Sequence, residues 1–261
     1  MEIVLEDDRG PAEKMTIQVA IGGQELGPVE VTKLLTKYGL WPRLAAEIIL
    51  DQAMEETGNL DVNETEIQIT VNQWMQKQGI QSEAELKNWL ARNGLDEAEM
   101  VAVATRPLKI EKFKQVTWGS NLEAYFVERK HQLDQVTYSL LRTKDGNMAQ
   151  ELYFRILDDG STFRELAKQY SQGPEAQTGG LVGPVELGIP HPQIVAVLKS
   201  AKPGMVNPPI KIGEWYAVLR LEKMLPAKLD EAMRQRLINE QFEKWLREAI
   251  QEKLVIESYQ D

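Results

Sequence analysis

Within one short stretch, from Phe163 to Gly183, the chain switches from helix to loop to turn to strand. Phe163, Leu166, Ala167 and Tyr170 recur at the three-to-four-residue spacing of one helical face. A polar Gly/Pro loop follows, then Gly179-Gly180, a pair that tolerates positive φ and lets backbones approach closely. Leu181, Val182 and Gly183 then open a small apolar strand. A helix turned back through a glycine pair onto a strand predicts helix packed on sheet here, and with the helical signals elsewhere in the chain the expected class is α+β.

The flanking pattern divides the chain. Residues 1–14 are acidic and contain Gly10-Pro11, which predicts a loose start; residues 15–21 read as a strand, with Gly22-Gly23 as a turn after it. From Pro28 to Lys130 the signals are helical. Asn63 with Glu66, Ser82 with Glu85 and Asp96 with Glu99 have the spacing of capping boxes, and Gly79 and Gly94 sit where helices stop. Ser120 is expected to cap one more helix of this region. Residues 136–141 then predict a strand, 144–147 a loop, and 148–157 a helix stopped by Asp158-Asp159-Gly160. Ser161 is expected to cap the helix from Phe163. A strand over 181–185, a helix over 192–198 and a final strand pair over 210–212 and 215–222 complete the β-α-α-β-α-β-β order. Pro226 breaks the sheet pattern, and 230–254 is a long helix with Met233, Leu237, Phe242, Trp245, Leu246 and Ile250 as its apolar positions.

Composition excludes several function classes. The formal net charge of −10 argues against a nucleic-acid or anionic-membrane surface, which needs clustered Lys/Arg. There is no cysteine and there are two histidines, His131 and His191, so neither a thiolate site nor a histidine-rich metal site is expected, and no cofactor is implied. No apolar run approaches the ~18 residues of a membrane span, so no membrane insertion is expected. The acidic start carries no secretory pattern, which reads as a cytoplasmic protein.

Over roughly residues 136–222 the chain resembles the parvulin family of peptidyl-prolyl isomerases. Phe163, Leu166, Ala167, Tyr170 and Ser171 match the family's helix, and Gly179, Gly180 and Gly183 match its Gly-Gly-Asp-Leu-Gly turn. Pro203, Gly204 and Val206, followed by Pro208, Pro209 and Ile210, match the next segment, and residues 215–222 match the last strand. The resemblance implies three parts: a SurA-like helical domain over 1–132, a parvulin-like module with a four-stranded antiparallel sheet over 133–226, and a C-terminal helix over 227–261. That helix would pack back on the N-terminal helices, as in chaperone-isomerases of the SurA and PrsA type. The implied activity is X–Pro isomerisation and the implied partners are unfolded or extended proline-containing polypeptides, with a protein-export system as a further partner.

The same resemblance locates a site and alters it. The family's two histidines fall on Tyr138 and Tyr216, its Cys or Asp on Gly173, and the Asp of its glycine turn on Leu181. The prolyl ring would be held near Pro190 and Ile194, with His191, Leu198 and Met205 as further substrate-binding positions. Two phenols, each donor and acceptor, fit the histidines' role as a hydrogen-bonded floor; the bland alternative is two core tyrosines on adjacent strands. Gly173 offers only backbone where the family has a polar wall. The residues thus imply weak activity at best, with a catalytically silent peptide-binding chaperone or export adaptor as the alternative. His191 has the bland reading of a solvated loop histidine, and Trp74, Trp89 and Trp118 that of buried core rather than a client-binding patch.

Overall fold

The computed structural model describes residues 19–21, 23–58, 60, 62–158 and 161–256. The loose start, most of the strand expected over 15–21, Gly22, Asp159 and Gly160 lie outside the described residues. The described chain opens with a short antiparallel hairpin, β1 (Val19–Ile21) and β2 (Gln24–Leu26). There follow α1 (Pro28–Lys37), α2 (Trp41–Thr57), α3 (Glu64–Lys77), α4 (Glu83–Asn93) and α5 (Glu97–Trp118). Next come α6 (Leu122–Leu133), β3 (Gln135–Thr143), α7 (Gly146–Leu157), α8 (Phe163–Tyr170) and β4 (Leu181–Glu186). The chain closes with α9 (Pro192–Ser200), β5 (Val206–Ile212), β6 (Trp215–Leu225) and α10 (Glu231–Lys253). Among the described residues, no helix is long and apolar enough to cross a membrane. Two compact units result: one ends at Ser120 and resumes at Ile238, the other is Asn121–Leu237. The cuts fall at 120 and 237 rather than near 132 and 226, so α6 and the first turns of α10 belong with the sheet.

In the helical unit the three capping boxes form as spaced. The side chains of Asn63, Ser82 and Asp96 accept from the backbone of Glu66, Glu85 and Glu99, whose carboxylates accept in return from the cap residues' N–H groups. Each box satisfies two N–H groups that a helix start leaves without partners. Two expected caps move by one residue. Ser120 lies in a 3-10 turn that carries on from α5, so α6 begins after Asn121 without a side-chain cap. Thr162, not Ser161, caps α8, because Thr162 is the residue three before Glu165 and completes a capping box with it. The tryptophans are packed. Trp74 and Trp89 meet edge-on at 4.9 Å beside Val71, Met100 and Ala104. Trp118 joins Phe113, Phe242 and Trp245, with ring centroids 5.6 to 6.1 Å apart, so the later part of α10 closes on α5.

In the other unit the strands run antiparallel in the order β4-β3-β6-β5. Alternation of side chains gives the sheet two buried faces. On one, Val136, Tyr138 and Leu140 of β3 and Ala217, Leu219 and Leu221 of β6 pack with Ile194 and Leu198 of α9. On the other, Leu141 and Val218 pack with Ala149 and Leu152 of α7 and Phe163, Leu166 and Ala167 of α8. Gly180, at φ +86°, is the point of closest approach: a Cβ there would lie 2.9 Å from the Leu140 carbonyl oxygen and 3.0 Å from Phe163. Glycine therefore lets the loop after α8 lie flat on β3, where Leu140 N donates to Gly180 O at 2.8 Å.

Candidate active site

The loop leaving α8 is stitched to β3. Gln172 N donates to the Arg142 carbonyl at 2.9 Å, Arg142 N donates to Ser171 Oγ at 3.0 Å, and Gly180 N donates to Glu175 O at 2.8 Å. Residues Pro174–Thr178 form a 3-10 turn that points the Glu175 side chain inward, where it is 4% exposed. A carboxylate so buried needs partners. Ser171 Oγ donates to its Oε1 at 2.6 Å, and the Arg142 Nε lies 3.2 Å from the same oxygen. The Nε is within ion-pair distance yet its N–H is not aimed at the carboxylate, so it makes no hydrogen bond. The guanidinium also lies over the Trp215 ring, 5.4 Å from its centroid; the Lys144 ammonium is 5.0 Å from the same ring and 2.9 Å from Glu214.

Gly173 makes this arrangement possible. Its φ of −111° suits any residue, so glycine is there for space. A Cβ would lie 2.1 Å from Arg142 Nε and 2.3 Å from both Arg142 Nη2 and Glu175 Oε2. The guanidinium thus occupies the room that a side chain at 173 would fill.

Tyr138 belongs to the same neighbourhood. It is 4% exposed on the sheet face that carries Leu140 and Ile194. Burial pushes its phenol pKa up, the Glu175 charge adds to this, and Arg142 opposes it. Tyr138 is therefore a neutral phenol at neutral pH.

Several expected site residues do not meet. Tyr216 is no partner for Tyr138: it packs with the α7 and α8 cluster on the opposite face, its ring 3.0 Å from where a Cβ on Gly146 would sit. Register separates them further, Tyr138 lying opposite Leu221 and Tyr216 opposite Thr143. The proposed two-phenol floor is absent. Leu198 is fully buried and cannot touch a substrate, and Ile194, 8% exposed, is at most a floor. His191 is exposed and caps α9, its Nδ1 accepting from Gln193 N at 3.3 Å. Pro190 lines a separate cavity of about 410 Å³ with His131, Gln132, Leu187, Val195 and Lys199. Leu181 and Met205, by contrast, are exposed and reachable. What the fold assembles is Tyr138, Arg142, Gly173, Glu175 and Trp215. Arg142 and Glu175 were the residues missed. The available signal was that Arg142 continues the period-two series of Val136, Tyr138 and Leu140.

Residues 139–223 match the family model of the PPIC-type PPIASE domain, Rotamase. Chaperone SurA of Nitrosospira multiformis is 30% identical over 99 residues, 34% of this chain and 22% of that protein. Foldase protein PrsA 2 of Bacillus anthracis is 29% identical over 154 residues, 58% of this chain and 52% of that protein. The chain thus spans about half or less of the length of these relatives. Among solved structures, a PrsA from Bacillus cereus shares 18% identity over 92% of this chain and 93% of its own, with a TM-score of 0.45. The parvulin domain of PpiD from E. coli shares 25% identity over 38% of this chain and 97% of its own, with a TM-score of 0.32. Residues 139–223 are thus similar to rotamase domains of the PPIC type, in a chain similar to SurA chaperones and PrsA foldases.

Proposed function

We propose that this chain binds extended, proline-containing stretches of unfolded polypeptide and isomerises their X–Pro bonds, acting as a foldase-chaperone. The rotamase match over 139–223 carries the reading. The chemistry suits the residues present. Rotation about an amide meets a barrier of about 18–20 kcal/mol, and no bond to the substrate forms or breaks. A site that positions the proline and replaces its water with fixed dipoles lowers that barrier without a titrating group. Loss of the family's histidines is therefore compatible with turnover.

One observation favours a second reading, in which the module binds peptide without turning it and hands clients on, an export system being one recipient. Tyr138 is buried and Tyr216 faces away from it, so no polar pair stands where the family has one. Exchange NMR on a peptide with one Ala-Pro bond decides between them. Faster cis/trans exchange at catalytic amounts of the full chain is the expected result. Shift changes without faster exchange would sink the isomerase reading and leave the binding module.

A further inference from the structure

The arrangement around Gly173 has a chemical purpose beyond packing. When an X–Pro amide twists, conjugation with the carbonyl is lost and the nitrogen lone pair becomes localised and basic. A donor aimed at that nitrogen binds the twisted amide and not the planar one, which is the condition for lowering a barrier. Among the residues assembled here, Arg142 carries such a donor. Its guanidinium is always charged; its Nε is buried against Glu175, but the side chain is 31% exposed and its Nη groups, which make no hydrogen bond, are the donors left for a substrate. It is also held in place from two sides. The buried Glu175, itself fixed by Ser171, lies 3.2 Å away, and the Trp215 ring lies beneath the guanidinium at 5.4 Å. A donor so fixed loses little freedom when it engages substrate. The space it fills is the space that opens at Gly173, the family's polar wall position.

We infer that Arg142 is a catalytic residue of this module, donating to the prolyl nitrogen as the amide twists, with Glu175 and Gly173 as positioning residues. The inference rests on the isomerase reading above. It accounts for three features together: a glycine with no backbone need for one, an inward carboxylate in a polar loop, and a cation on the tyrosine face of β3.

The test measures kcat and KM for the Ala-Pro peptide by exchange NMR with the full chain, comparing wild type with Arg142→Met, Arg142→Lys and Gly173→Ala. Thermal unfolding confirms that each variant is folded. Arg142→Met is expected to lower kcat about ten- to a hundredfold, the range for one charge-assisted hydrogen bond, with KM moving less than about threefold. Arg142→Lys should recover part of the loss, since charge returns without the planar fork. Gly173→Ala, which displaces the guanidinium, should mimic Arg142→Met even if that variant does not fold. A kcat within about twofold of wild type for Arg142→Met and Gly173→Ala, or a loss carried by KM alone, would overturn the assignment while leaving the isomerase reading intact. A wild-type chain that binds the peptide without accelerating exchange overturns both.

Discussion

Tyr138 shows how one residue's surroundings settle what its chemistry can be. Its phenol is buried among apolar side chains with a carboxylate nearby, and both hold its pKa above the usual value of about 10. The folded protein therefore keeps the phenolic proton at a pH where the unfolded chain releases it. Stability from this residue is whole below about pH 10 and declines as pH rises through the folded-state pKa. Tyr138→Phe removes that decline. Urea unfolding at pH 8 and pH 11 should show wild type losing more stability over that interval than Tyr138→Phe; equal losses would contradict the shift. The same residue marks a limit of sequence reading. Its placement on a strand was legible, because apolar and β-branched residues surround it. Its supposed partner was not. Whether Tyr138 and Tyr216 share a face depends on the register between β3 and β6, which sets Tyr138 opposite Leu221 and runs without a shift to Thr143 opposite Tyr216. Nothing in either strand alone states that parity.

The elements divide along the same line. Helix starts were legible where cap and return partner are both in the sequence, three residues apart, as with Asp96 and Glu99. They slipped by one residue where two hydroxyls adjoin, as at Ser161 and Thr162, because only one of them has its glutamate at the right distance. The glycines of the turn into β4 were legible as a motif, but their separate tasks were not. Gly180 answers to Leu140, Ala167 and Phe163, whereas Gly183, at φ +105°, would place a Cβ 2.5 Å from the Val136 carbonyl oxygen. That contact is backbone against backbone, across the β3–β4 pair, and no rotamer change relieves it. Gly183→Ala combines the clash with an unfavourable φ, which together should cost more than about 2 kcal/mol. Chemical denaturation reads this directly, and a loss under about 0.5 kcal/mol would show that β4 shifts aside freely.

For the molecule as a whole, the chain's two crossings of the unit boundary make a stability argument. The unit Asn121–Leu237 is continuous in sequence and holds both faces of its sheet within itself. The helical unit is not continuous. Phe113 and Trp118 of α5 meet Phe242 and Trp245, and such ring pairs are worth about 0.5–1.5 kcal/mol each beyond the area they bury. Lys114, 9% exposed, donates to Asn239 Oδ1 at 3.1 Å and lies over the Phe242 ring at 4.6 Å. Without residues beyond 237 that ammonium keeps Glu111 but loses its other partners, and the aromatic face of α5 opens to water. A fragment of residues 121–237 should therefore unfold in one cooperative transition with dispersed amide resonances. A fragment of residues 1–120 should retain helix by circular dichroism yet bind a hydrophobic dye and melt without a sharp transition. Sharp, cooperative melting of the 1–120 fragment would mean that α5 finds its core without the last helix, and that the reason for returning the chain to the helical unit lies elsewhere.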